Sequence, residues 1–210
     1  VFCREIGAQP YICANVGSGS PTEARNWLEY CNGSGQTHYA QLRVQYGHPE
    51  PYGVRYWGVG NENWGCGGHF TPEEYAEAYR RFATYLKPFN RTMTPPIELV
   101  ACGHITPDWN QRFMAALGAD RNPLVLHLID HLSIHRYFRG PSDAEFTEDQ
   151  YYRLMLDSLQ LAEDLRRTRD VLDYYCGAQK RIGIIVDEWG TWYDQARAEN
   201  GLEQKNTLQD

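Results

Sequence analysis

Apolar residues fall into five short blocks along the chain, and most are followed by a polar loop and a stretch of helical periodicity. The blocks are 10–16 (Pro-Tyr-Ile-Cys-Ala-Asn-Val), 54–59, 97–102, 131–137 and 181–187. Each is short, apolar and rich in β-branched or aromatic residues, the pattern of a strand buried on both faces. Helix starts are marked between them. Ser20-Pro21-Thr22-Glu23 and Thr71-Pro72-Glu73-Glu74 fit a capping box, in which a hydroxyl and an acid three residues on satisfy each other's backbone donors, and a further helix starts near Thr147-Glu148-Asp149-Gln150. After Thr71, residues Tyr75, Ala78, Tyr79, Phe82, Tyr85 and Leu86 recur at helical spacing and predict a core-facing stripe. Further helices are predicted over 107–117 and from 147 to about 175. Residues 194–210 are polar and predict no further strand.

Strands alternating with helices imply parallel βαβ units. No glycine fingerprint of a dinucleotide fold follows a strand. Polar residues instead sit where strands end: Asn15, Asn61-Glu62, His104, His135 with Tyr137, and Asp187-Glu188. A (β/α)₈ TIM barrel gathers its chemistry at those ends. Five strands are three short of a barrel, and the chain opens on Val1-Phe2-Cys3 without Met. The expectation is an α/β fold in which residues 1–210 form a partial barrel. Such an open sheet should expose two edges and be unstable or inactive by itself.

Composition narrows the function. With 20 Lys+Arg against 27 Asp+Glu, the net charge is −7, the wrong sign for nucleic acid, which demands basic patches. The densest basic run, Arg166-Arg167-Thr168-Arg169, lies beside Glu163 and Asp164 and reads as a solvated helix face. No apolar stretch approaches the ~20 residues that cross a bilayer, so no membrane partner is expected. The six cysteines include no CxxC pair, which disfavours structural zinc; Cys13 and Cys102, inside strands, are expected as buried free thiols. Asn32-Gly-Ser34 and Asn90-Arg-Thr92 match the glycosylation triplet, which also arises by chance. A metal hydrolase built on His69, His104, His131 and His135 is disfavoured, because His131 and His135 lie at opposite ends of one strand, ~13 Å apart at ~3.3 Å per residue. No metal or cofactor is expected.

Glycoside hydrolysis needs two carboxyl groups flanking the scissile bond, one protonated and one ionised. Glu62 and Glu188 each follow an apolar strand among Trp and Gly. Either alone reads as a strand-end partner for an arginine; together, with 15 Tyr, 6 Trp and 7 Phe available for packing or for stacking on sugars, they favour catalysis. His135 and Tyr137, two apart on a strand, share a face.

Gly60-Asn61-Glu62 after Tyr-Trp-Gly-Val resembles the acid/base motif of the large barrel clan of retaining glycosidases, and Asp187-Glu188-Trp189-Gly190 resembles the nucleophile motif of glycoside hydrolase family 51. The strings 24–32, 56–68 and 133–137 are similar to the same family, so the resemblance covers nearly the whole chain. It implies an α-L-arabinofuranosidase that removes terminal arabinofuranosyl groups from arabinan- and arabinoxylan-type glycans with retention. It assigns strands three to seven of the barrel to this chain and places a C-terminal β-sandwich outside it. By the same resemblance Glu62 is the acid/base and Glu188 the nucleophile, with carboxyls ~5 Å apart. Asn61 bonds the sugar 2-hydroxyl, Asn15 binds sugar, Tyr137 bonds the nucleophile, and His135 lies near acid/base and substrate. Trp64 either stacks on the aglycone or packs its own loop; Trp189 and Trp192 wall the cleft or pack. The family also implies a homo-oligomer, often a hexamer. The bacterial cytoplasm is the favoured compartment over secretion. Rival readings are an endoglucanase or β-xylosidase of the same clan, and a non-catalytic carbohydrate-binding fragment.

Overall fold

The computed structural model describes residues 2–91, 96–120, 122–142 and 145–193 of the 210-residue chain. The elements follow in the order α1 (Phe2–Glu5), β1 (Tyr11–Ala14), α2 (Pro21–Asn32), α3 (His38–Gln45), β2 (Tyr56–Val59), α4 (Pro72–Leu86), β3 (Glu98–Cys102), α5 (Pro107–Leu117), β4 (His131–Gly140), α6 (Glu148–Asp157), α7 (Gln160–Cys176) and β5 (Gly183–Tyr193), with 3₁₀ turns at Lys87–Arg91 and Pro123–Leu128. All five strands are parallel and lie in chain order, β1-β2-β3-β4-β5. That is a curled half-barrel with its helices packed outside, and each predicted block is a strand of it.

The helix starts form as their sequences dictate. Ser20, Thr71 and Thr147 each cap their helix with both capping-box bonds present. The stripe on α4 packs onto β2 and β3, with Tyr75, Tyr79, Phe82 and Leu86 buried beside Trp57, Leu99 and Phe113. Tyr85 departs from the stripe and stands exposed; ten residues at about 100° each turn it some 80° away from Tyr75. Tyr75 also ties the sheet together next to the strand ends, its hydroxyl donating to Val59 O (2.6 Å) and accepting from Cys102 N (2.7 Å).

Three expectations need correction. The helix predicted from 147 divides at Ser158, whose hydroxyl donates to Met155 O at 2.6 Å, where the backbone shifts to i→i−3 bonds. On α7, Asp164 and Thr168 are buried rather than solvated, and Asp164 meets Arg136 at 3.1 Å. Cys102 is buried but Cys13 is exposed, since it faces the open side of the half-barrel beside Tyr11. Asn32 is no glycosylation acceptor: it is buried, accepting from Val54 N (2.8 Å) and donating to Val54 O (2.7 Å). The triplet at Asn90 runs beyond the described residues, as does the polar stretch 194–210. Among the described residues, no helix is long and apolar enough to cross a membrane.

Candidate active site

The loop after β2 is built to hold one carboxylate at the rim. Gly60 continues the sheet by donating to Ala14 O, then turns at φ +85°, a conformation open chiefly to glycine. Glu62 itself sits at φ +47°, a left-handed conformation costly for a non-glycine residue. The surroundings hold it there: Glu62 O accepts from Gly65 N (2.8 Å) and Gly67 N (2.9 Å), and Asn63 Nδ2 donates to Gly67 O. Gly67 must lack a side chain, since a Cβ would stand 1.9 Å from Asn61 O. Trp64 pins the loop to the next strand end through Nε1 to Gly103 O (3.1 Å) and packs edge-on against His104.

β5 delivers the second carboxylate through a register shift. Ile134 pairs with Val186 but His135 pairs with Glu188, so Asp187 is an extra residue on β5. Neighbours on a regular strand point to opposite faces; the bulge lets both face one ring. Asp187 Oδ1 lies 3.1 Å from His135 Nε2, and Glu188 Oε2 lies 3.5 Å from Nδ1. Nδ1 also lies 3.1 Å from Glu62 Oε1. One oxygen of Glu62, one of Glu188 and a His135 nitrogen thus fall within 4.8 Å of one another.

The remaining polar groups complete the cluster. Tyr137 OH donates to Glu188 Oε2 (3.0 Å) and Asn61 Nδ2 to Glu188 Oε1 (3.3 Å). Cys66 Sγ donates to Glu62 Oε2 (2.9 Å). Glu62, Trp64, His104, Ile105, His135, Tyr137, Arg139, Glu188 and Trp192 line a cleft of about 470 Å³. Burial pushes the His135 imidazolium down, but contact with Asp187 and Glu62 and the charges of Asp187 and Glu188 outweigh it and raise the ring to about 9. The ring is therefore cationic at neutral pH. Partial burial and the bond to Glu188 push the Tyr137 phenol up to about 12. His104 is lowered by burial and by the cationic His135 nearby. The Cys66 thiol is raised by its bond to Glu62.

Of the seven residues singled out from sequence, Glu62, Glu188, Asn61, His135, Tyr137 and Trp64 come together. Asn15 does not line the cleft; it holds its own turn, donating to Ser18 Oγ and accepting from Ser18 N. The four histidines do not converge either: His131 pairs with Glu98 at the far end of the sheet. Among the described residues the group with metal-donor spacing is Glu62, His135 and Glu188, the carboxylate cluster itself. Sequence reasoning missed Cys66, Arg139 and Tyr11. Arg139 had a readable signal, since it continues the alternation of His135 and Tyr137. Cys66 lies four residues after Glu62 in a loop without periodicity, which left no signal.

The α-L-arabinofuranosidase 1 domain model matches residues 2–154. The whole chain is 35% identical over 219 residues to an intracellular exo-α-L-arabinofuranosidase of Bacteroides ovatus, covering 40% of that protein. It is likewise 35% identical to α-L-arabinofuranosidase C of Emericella nidulans, covering 42%. Its fold matches the family 51 arabinofuranosidase of Xanthomonas axonopodis pv. citri over 100% of this chain and 42% of that one (TM-score 0.86, 30% identity). It also matches the arabinose complex of the Thermotoga maritima enzyme over 91% of this chain and 36% of that one (TM-score 0.75, 41% identity). The chain spans about two-fifths of the length of these relatives.

Proposed function

The chain belongs to the α-L-arabinofuranosidases of glycoside hydrolase family 51, and we propose on that footing that it carries both catalytic carboxyls of a retaining exo-α-L-arabinofuranosidase. The observation that carries the reading is the approach of Glu62, in the loop after β2, and Glu188, on β5 and 126 residues further on, to within 4.8 Å through one oxygen each. Such a gap suits direct attack on the sugar; inverting enzymes keep roughly 6.5–9.5 Å to seat a water.

Glu188 attacks the anomeric carbon while Glu62 gives its proton to the departing glycosidic oxygen, leaving an arabinofuranosyl ester on Glu188. Glu62, now ionised, takes a proton from water, whose oxygen displaces Glu188 and restores the original anomeric configuration. Tyr137 and Asn61 hold the two oxygens of Glu188; once one is esterified, Asn61 is free to donate to the sugar 2-hydroxyl. Trp64 supplies an aromatic wall for the leaving group. Asn15 is exposed at the end of β1 and keeps a second amide N–H and a second oxygen lone pair with which to bind sugar.

The substrates are arabinan- and arabinoxylan-type side chains, as the family resemblance implies. Sequence outside residues 1–210 supplies the remaining strands and a β-sandwich. The whole protein acts as a homo-oligomer in the cytoplasm, the location in keeping with the intracellular relative from B. ovatus. The full-length protein, assayed on p-nitrophenyl α-L-arabinofuranoside beside the glucoside and β-xyloside, tests the assignment. Preference for the arabinofuranoside that is abolished by Glu188→Ala supports it. Turnover of another glycoside, or activity surviving Glu188→Ala, refutes it.

A further inference from the structure

Asp187 stands behind the catalytic cluster with no part in the chemistry just described. Its side chain is 7% exposed, as is that of His135. Its Oδ2 accepts from Tyr11 OH at 3.1 Å, a bond that crosses the inside of the half-barrel from β1 to β5 over 176 residues of sequence. Gly58 clears the path, since a Cβ there would meet the Tyr11 hydroxyl at 2.8 Å. Oδ1 accepts no well-aligned hydrogen bond; its partner is the Nε2 edge of His135, 3.1 Å away. A buried carboxylate oxygen in that position needs a cation or a donor.

We infer that Asp187, steadied by Tyr11, is a positioning residue that fixes His135 with a proton on Nε2 and its Nδ1 turned to both Glu62 and Glu188. This rests on the assignment of those two carboxyls as the catalytic pair. With Nε2 committed to Asp187, the cationic ring also carries a proton on Nδ1. It donates that hydrogen bond to Glu62 Oε1 both when Glu62 is protonated on its other oxygen and when Glu62 is ionised. The same ring therefore follows the acid/base through both halves of the reaction without rotating. The proton on Nδ1 stays on the ring throughout, and the Nε2 proton stays directed at Asp187 Oδ1. The bulge at Asp187 is what this arrangement requires, because a regular strand would turn either Asp187 or Glu188 away from the ring. The charged and titratable groups facing the ring are Glu62 from the loop after β2, His104 from the loop after β3, and Asp187 and Glu188 from β5.

A cross-barrel bond is also what a purely structural strut would look like, so the test needs a readout that a strut does not move. In the full-length enzyme, Asp187→Asn and Tyr11→Phe are compared with the parent by pH profile of kcat/KM, by kcat against KM, by thermal unfolding and by NMR titration of the His135 ring. Asp187→Asn is expected to lower kcat about 100-fold, the low end of what acid–base catalysis contributes, with KM within a few-fold. The ring titration is expected to fall from near pH 9, and the acidic limb of the profile to move to higher pH, because a neutral imidazole no longer favours ionised neighbours. Tyr11→Phe is expected to do the same about fivefold, the worth of one hydrogen bond, and it decides the matter should Asp187→Asn fail to fold. A lowered unfolding temperature with kcat per folded molecule, pH profile and ring titration unchanged would overturn the inference and leave the strut. If Glu62→Ala and Glu188→Ala were themselves without effect on activity, the catalytic assignment would fall instead.

Discussion

Carboxylates crowd both ends of this sheet, but they are treated differently. At the N-terminal end, Glu98 accepts from Arg55 Nε at 2.9 Å and lies 2.5 Å from His131 Nε2. Asp130 is flanked by Lys87 and Lys180 and also accepts from Leu99 N. Two acids there are matched by three full cations and an imidazole. At the C-terminal end Glu62, Asp187 and Glu188 converge on the single ring of His135. Compensated charge is a device for holding strands together; charge left in excess and facing a cleft is available to a substrate.

The comparison can be broken from either side, and the largest effect belongs to the cleft. Glu188→Gln in the full-length enzyme should lower kcat by at least about 10⁴-fold, as loss of a covalent nucleophile does, with unfolding temperature within a few degrees. Glu62→Gln should cost about 10²–10⁴-fold on a glycan leaving group and far less on an activated nitrophenyl one. That split, read by steady-state kinetics on both substrates, separates a proton donor from a structural carboxylate.

The opposite end should answer only in stability. Burial would raise the Asp130 carboxyl, but bonds to Lys180 and Lys87 outweigh it and hold it below its usual range. The stabilisation it brings is present above its unfolded value of about 3.9 and is lost as pH falls through the lower folded value. Asp130→Ala should destabilise by about 2–3 kcal/mol, discounted for partial exposure, with kcat per folded molecule unchanged. Denaturant titrations at neutral and acidic pH would show it.

His135 carries the contrary sign. Its folded value of about 9 lies above its unfolded one of 6.5, so its contribution is complete below pH 6.5 and fades as pH rises through 9. Unfolding midpoints measured from pH 6 to pH 10 should decline across that window in the parent and flatten in Asp187→Asn. The smallest effect expected is none at all: a strong chelator should leave turnover unchanged, since no step described above requires a metal.

Much of this contrast was legible before any coordinates. The strands announced themselves as apolar blocks, and the starts of α2 and α4 as capping boxes, because both signals are local. The pairing of Glu62 with His135 and Glu188 was readable through strand-end position and motif. What escaped had a physical reason each time. Helix α3 buries Ala40 and Arg43, and Arg43 spends its guanidinium on the carbonyls of Tyr30, His48 and Pro49, so its core position reads as surface. The bulge at Asp187 is a register property of two strands and has no trace in either alone. Tyr11 reads as a strand aromatic because its partner lies 176 residues away.

The account stands on Glu188 becoming covalently attached to sugar. Full-length enzyme carrying Glu62→Ala, quenched during turnover of an activated arabinofuranoside and digested, should yield the peptide containing Glu188 heavier by one pentosyl group. An unlabelled Glu188 peptide, with label on another residue or with product of inverted anomeric configuration, would contradict it.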